Sequence, residues 1–122
     1  MAQSTDPIGI FDSGVGGLSV AAAIRSLLPA EHLLYYADTA HFPYGSRSES
    51  EVAGLALTAA GFLVRRSAKL VVVACNTASS AALSTLRTSF DVPFVGVVPG
   101  VKPGALASSR AQVCVLATEA TF

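Results

Sequence analysis

A chain of 122 residues with no internal duplication is long enough for one compact domain and too short for two. Apolar residues make up 52% of it and charged residues 13%, about half the usual ~25% share of charge, which excludes a disordered chain. Eight Lys+Arg against eight Asp+Glu give no net charge, so there is no basic footprint for nucleic acid or anionic lipid, and the scarcity of charge suggests that part of the surface faces protein.

Short apolar runs alternate with longer stretches of helical period, the pattern of βαβ units around a mainly parallel sheet. Residues 8–11 read as the first strand. It runs into Asp12-Ser13-Gly14-Val15-Gly16-Gly17 and a helix over 16–28. A second strand, 33–36, leads to Asp38 and a loop, 39–47, that carries His41, Phe42, Pro43, Tyr44 and Gly45. Ser48 with Glu51 forms a capping box that opens a helix over 48–66, with Val52, Leu55, Ala59 and Phe62 at helical spacing. Residues 70–73 form a continuous apolar run of the kind central parallel strands show; Cys75-Asn76-Thr77 and a helix over 78–90 follow. A fourth strand at 94–97 and a brief helix within 101–109 precede a fifth strand, 113–116, which contains Cys114 and ends at Thr118, Glu119 and Thr121. The predicted fold is therefore α/β, a doubly wound, mainly parallel sheet of about five strands with helices on both faces, and residues 1–122 form a single domain.

Apolar stretches such as 69–75 and 112–117 fall far short of the ~20 residues a membrane span requires. The opening MAQSTDPIGI has neither a basic region nor a long apolar core, so a cytoplasmic protein without a membrane partner is expected. Two cysteines make no disulfide scaffold, and two histidines give no metal-ligand spacing. Neither metal nor cofactor is expected, which leaves thiol, carboxylate, hydroxyl and backbone groups to do any chemistry.

The polar clusters all follow the carboxyl ends of predicted strands. In open α/β sheets that edge binds ligands, because loops converge there and helix N-termini present free N–H groups; a small anionic molecule is the expected guest. On spacing alone, residues 12–17 read equally as a tight strand-to-helix turn or as a ligand loop. A dinucleotide fingerprint fails at Ser19, where glycine is required, and a Walker loop lacks its Gly-Lys-Ser/Thr. Cys75, at the start of a helix, feels the free N–H groups that favour a thiolate, whereas Cys114 reads as a buried strand residue. No arginine follows Cys75 through Ala82, which argues against a cysteine phosphatase, and no Cys-x-x-Cys pair is present. Tyr44 reads as a lid or as one wall of a cavity, and His41 as a solvated side chain or a weak candidate base.

Asp12-Ser13-Gly14-Val15-Gly16-Gly17, Pro43-Tyr44-Gly45, Cys75-Asn76-Thr77-Ala78-Ser79 and Leu116-Ala117-Thr118-Glu119-Ala120-Thr121, in that order, resemble the glutamate racemases of the aspartate/glutamate racemase superfamily. The resemblance spans essentially the whole chain but only the amino-terminal half of the family's two-domain pattern; the second half, with its Gly-Cys-Thr-His motif, has no counterpart here. The resemblance implies a cofactor-independent isomerase that acts on glutamate by two-base proton transfer and supplies D-glutamate for peptidoglycan. It further implies Cys75 as one catalytic thiolate, and Asp12 as the carboxylate that pairs with the substrate ammonium and assists Cys75. Asp12, Ser13, Tyr44, Gly45, Asn76 and Thr77 match its substrate-binding positions, with Thr118 and Thr121 as weaker matches. A homo-oligomer is expected of the full-length protein and little activity of this chain alone, since the opposite base is missing. Two alternatives remain open: a racemase for aspartate or another amino acid, and a truncated, non-catalytic binding module.

Overall fold

A strand that is apolar on both faces must be covered on both, and here the helices between parallel strands supply the cover. The computed structural model describes residues 3–121. In chain order they form β1 (Ile8–Asp12), α1 (Leu18–Leu27), β2 (Leu33–Ala37), a 3-10 turn (Thr39–His41), α2 (Glu49–Arg65), β3 (Leu70–Val73), α3 (Asn76–Ser89), β4 (Phe94–Gly96), α4 (Val101–Ala107) and a second 3-10 turn (Glu119–Thr121). The four strands make one parallel sheet in the order β2-β1-β3-β4. Ile10 stands opposite Tyr35 on one side and Val72 on the other, and Val72 stands opposite Val95.

Alternation along the strands divides the core in two. On one face Phe11, Val71 and Val73 pack with Val52, Ala56, Ala59, Ala60 and Leu63 of α2 and with Ala78, Ala82 and Leu86 of α3. On the other, Ile8, Ile10 and Val72 meet Val20, Ala21 and Ile24 of α1. The α2 start is the capping box that the sequence predicts: the Glu51 N–H donates to Ser48 Oγ at 3.3 Å and the Ser48 N–H donates to Glu51 Oε2 at 2.9 Å.

The sheet has four strands among the described residues, not about five. Residues 112–118 have no regular structure, and Val113 and Leu116 are 40% and 95% exposed. A β-prone apolar run becomes a strand only where a partner edge and covering side chains hold it, and here the run has neither. Cys114, expected inside that strand, is consequently exposed. A smaller correction has a chemical consequence: α3 opens at Asn76 rather than Ala78, which makes Cys75 its N-cap. Among the described residues no helix is long and apolar enough to cross a membrane.

Candidate functional site

Parallel pairing keeps the strand ends level. Beyond the last paired residues the Ala74 N–H donates to the Phe11 carbonyl at 2.8 Å and the Asp38 N–H to the Asp12 carbonyl at 3.0 Å, so Asp12, Asp38 and Cys75 emerge along one edge.

Asp12 is buried, and a buried carboxylate needs donors. The turn provides them: Oδ1 accepts the Ser13 N–H and Oδ2 the Gly17 N–H, each at 2.8 Å. Gly17 is required by space, because a Cβ there would lie 2.9 Å from Ala74 Cβ, Asp12 Cβ and Tyr35 Oη. Ser13 Oγ lies 3.5 Å from Asp12 Oδ1 and accepts from Cys75 Sγ at 3.6 Å. The sulfur in turn accepts the Ala78 N–H at 3.4 Å from the first turn of α3. Carboxylate, hydroxyl and sulfur thus form a connected relay across the β1 and β3 ends, in which Ser13 and the helix N–H can act as donors to a thiolate.

A second cluster lies beside it. Buried Thr77 places Oγ1 3.0 Å from Thr118 Oγ1 and 3.5 Å from Thr121 Oγ1, and the last two are 2.9 Å apart. Gly45 abuts this group, for a Cβ there would come within 2.5 Å of Thr118 Cγ2. Gly45, Arg47, Ser80, Glu119 and Thr121 line a cavity of about 430 Å³. Asn76 is exposed and lines another, of about 490 Å³, with Val101, Val113 and Thr118. The predicted site residues therefore form two neighbouring groups, Asp12-Ser13-Cys75 and Gly45-Thr77-Thr118-Thr121, with Asn76 facing outward at the helix start.

Tyr44, read from the sequence as a lid or as one wall of a cavity, has its side chain inside the protein. It is 1% exposed and its hydroxyl donates to Asp38 Oδ2 at 2.6 Å. Burial first, and then the hydrogen bond to the Asp38 carboxylate, push its phenol far above the ordinary tyrosine range, so it is a neutral donor and its hydroxyl is committed inside the protein. His41, exposed as expected, sets Nδ1 2.8 Å from Asp38 Oδ1. The sequence marks Asp38 only as a polar residue after a strand; its role as the buried anchor of the 41–44 loop follows from contacts that spacing does not reveal. Tyr35 gives no sequence signal beyond its place in β2, yet its hydroxyl donates to the Gly14 carbonyl at 3.1 Å. Among the described residues no group of three or more His, Cys, Asp or Glu is assembled to hold a metal ion.

Residues 8–121 match the model of the family described as Asp/Glu/Hydantoin racemase. The chain is 58% identical to a glutamate racemase of Roseiflexus sp. over 98% of its own length and 44% of the relative's. The crystal structure of Escherichia coli glutamate racemase in complex with L-glutamate and the activator UDP-MurNAc-ala superposes with a TM-score of 0.78 at 46% identity, over 85% of this chain and 40% of that one. The Francisella tularensis glutamate racemase, in complex with D-glutamate, gives 0.79 at 31% identity over 98% of this chain and 45% of that one. The chain thus spans less than half the length of these relatives.

Proposed function

The chain belongs to the Asp/Glu/hydantoin racemase family, and from that premise we propose that it supplies one catalytic half of a glutamate racemase, an isomerase that interconverts L- and D-glutamate without a cofactor. The hydrogen-bonded line from Asp12 through Ser13 to Cys75 is the observation that carries the reading. Support also comes from relatives whose structures hold either glutamate enantiomer.

Racemisation removes a weakly acidic α-proton from one face of the carbon and returns one to the other. In this reading Cys75 is the base for one face. Its Sγ accepts the Ala78 N–H at the start of α3 and donates to the Ser13 hydroxyl, which fixes the sulfur at the sheet edge. A large sulfur anion loses less hydration on burial than a carboxylate does, which suits it to a closed pocket. Asp12 pairs with the substrate ammonium and steadies Ser13. Negative charge that develops on the substrate carboxylate as the proton leaves needs donors already in place. Asn76, the Thr77 cluster and the α3 N-terminus supply these, with the backbone at Gly45 closing one wall. Tyr44 acts through its backbone and its buried bond to Asp38. The base for the opposite face lies outside these 122 residues; the complete protein is an oligomer of the cytoplasm, where its D-glutamate serves peptidoglycan synthesis.

Alkylation of Cys75 by iodoacetamide, in a Cys114→Ser background, tests the assignment. Millimolar L- or D-glutamate should slow the reaction. Equal protection by aspartate would widen the substrate class to other acidic amino acids. No protection by any of these would remove Cys75 from the substrate site.

A further inference from the structure

We propose that Tyr35 is a positioning residue: its hydroxyl, by holding the Gly14 carbonyl, keeps Asp12 and Ser13 aligned with Cys75. The inference rests on the reading of Cys75 as the reacting sulfur, and it adds a residue from a strand that otherwise contributes nothing to the site.

Register explains how a residue inside a strand reaches the edge. Tyr35 stands opposite Ile10, two residues short of the level where Ala37 meets Asp12. At about 3.3 Å per residue this leaves its backbone one strand repeat below the turn. Its side chain lies on the α1 side of the sheet, against the Ile8, Ile10 and Val72 cluster, and only a long side chain ending in a donor spans that distance. The hydroxyl arrives at Gly14 O, 3.1 Å away. The same oxygen is 2.9 Å from where a Gly17 Cβ would sit, so it lies between the two ends of the 14–17 turn. One end carries Ser13, which receives Cys75 Sγ; the other carries the N–H that Asp12 Oδ2 accepts.

The phenol is suited to donate and not to take protons. Burial, reinforced by the Asp12 and then the Cys75 charges, raises it above the ordinary tyrosine range. The contact it protects is a delicate one. At 3.6 Å the sulfur–hydroxyl bond has little length to spare, and rotation of the Gly14 peptide would carry Ser13 away from the sulfur. Simple packing would be served equally well by phenylalanine, and the two roles therefore separate experimentally.

The experiment uses the Cys114→Ser chain, in which Cys75 is the one remaining thiol, and compares Tyr35→Phe with Tyr36→Phe. Tyr36 packs on the opposite face against Phe62, with ring centroids 5.3 Å apart, and serves as the control. Loss of one hydrogen bond worth about 1 kcal/mol corresponds to about fivefold. Tyr35→Phe should therefore slow alkylation at pH 7 about fivefold and speed exchange of the Gly17 amide by a similar factor, while the Ile10 amide stays protected. In a Ser13→Ala background the same substitution should change alkylation no further. The inference is overturned if Tyr35→Phe matches its parent, if Tyr36→Phe has as large an effect, or if the Tyr35 effect persists without the Ser13 hydroxyl. It is also overturned if deleting this one oxygen unfolds the chain, since a local alignment bond does not carry a fold. Glutamate protection of the parent is measured separately, so failure of the substrate assignment and failure of the Tyr35 role give different patterns.

Discussion

Asp38 shows how a single buried charge can organise a loop. The residue is 6% exposed; its carboxylate takes the Tyr44 hydroxyl on one oxygen and faces His41 Nδ1 with the other, while its own N–H extends the sheet to Asp12. Removing a donor from a buried acceptor costs the desolvation of the group left behind, about 1–3 kcal/mol. Tyr44→Phe should therefore lower unfolding free energy by that amount in urea titrations, although it enlarges no cavity. If it were neutral, the Asp38–Tyr44 bond would not hold the loop. The wall beside Gly45 would then need another support.

At the scale of elements, α2 owes its start to Ser48 and Glu51. Ser48→Ala should cost about 1 kcal/mol, read as a lower urea midpoint with unchanged slope. The box also gives stability a pH dependence. The Ser48 hydroxyl, and then its N–H, hold the Glu51 carboxyl below the ordinary glutamate value. The folded state then binds that proton less readily than the unfolded one, so the contribution is complete above the ordinary value and is lost as pH falls through the lowered one. Glu51→Gln should flatten the stability profile in that acidic window and leave it unchanged in shape at neutral pH. A profile identical to the parent's would show that the carboxylate contributes nothing.

Elements with strong local signals were legible in the sequence. The Ser48 box, the 70–73 run and the placing of Cys75 at a helix start each depend on neighbours in the chain, and each stands in the structure. The 113–116 run carries an equally apolar signal but forms no strand, because pairing is decided by what lies beside and above it. Burial of Tyr44 on Asp38 and the reach of Tyr35 to Gly14 were illegible for a related reason. The first depends on how the loop after β2 folds back on itself and the second on β1–β2 register, and residue spacing encodes neither.

Across the whole molecule, the proposed site gathers at the carboxyl edge of the sheet, where Cys75 is the sulfur bonded to Ser13 among the described residues. Cys114 is exposed on an irregular segment that lines the cavity beside Asn76, and His41 Nδ1 faces Asp38; neither is joined to the Asp12–Ser13–Cys75 line by a hydrogen bond among the described residues. Inversion at carbon requires bases on both faces. The most direct test incubates this 122-residue chain with L-glutamate in D₂O and follows both Cα deuterium and D-glutamate. A one-thiol half-site predicts that D-glutamate does not accumulate; robust conversion to Cα-deuterated D-glutamate by the chain alone would contradict it.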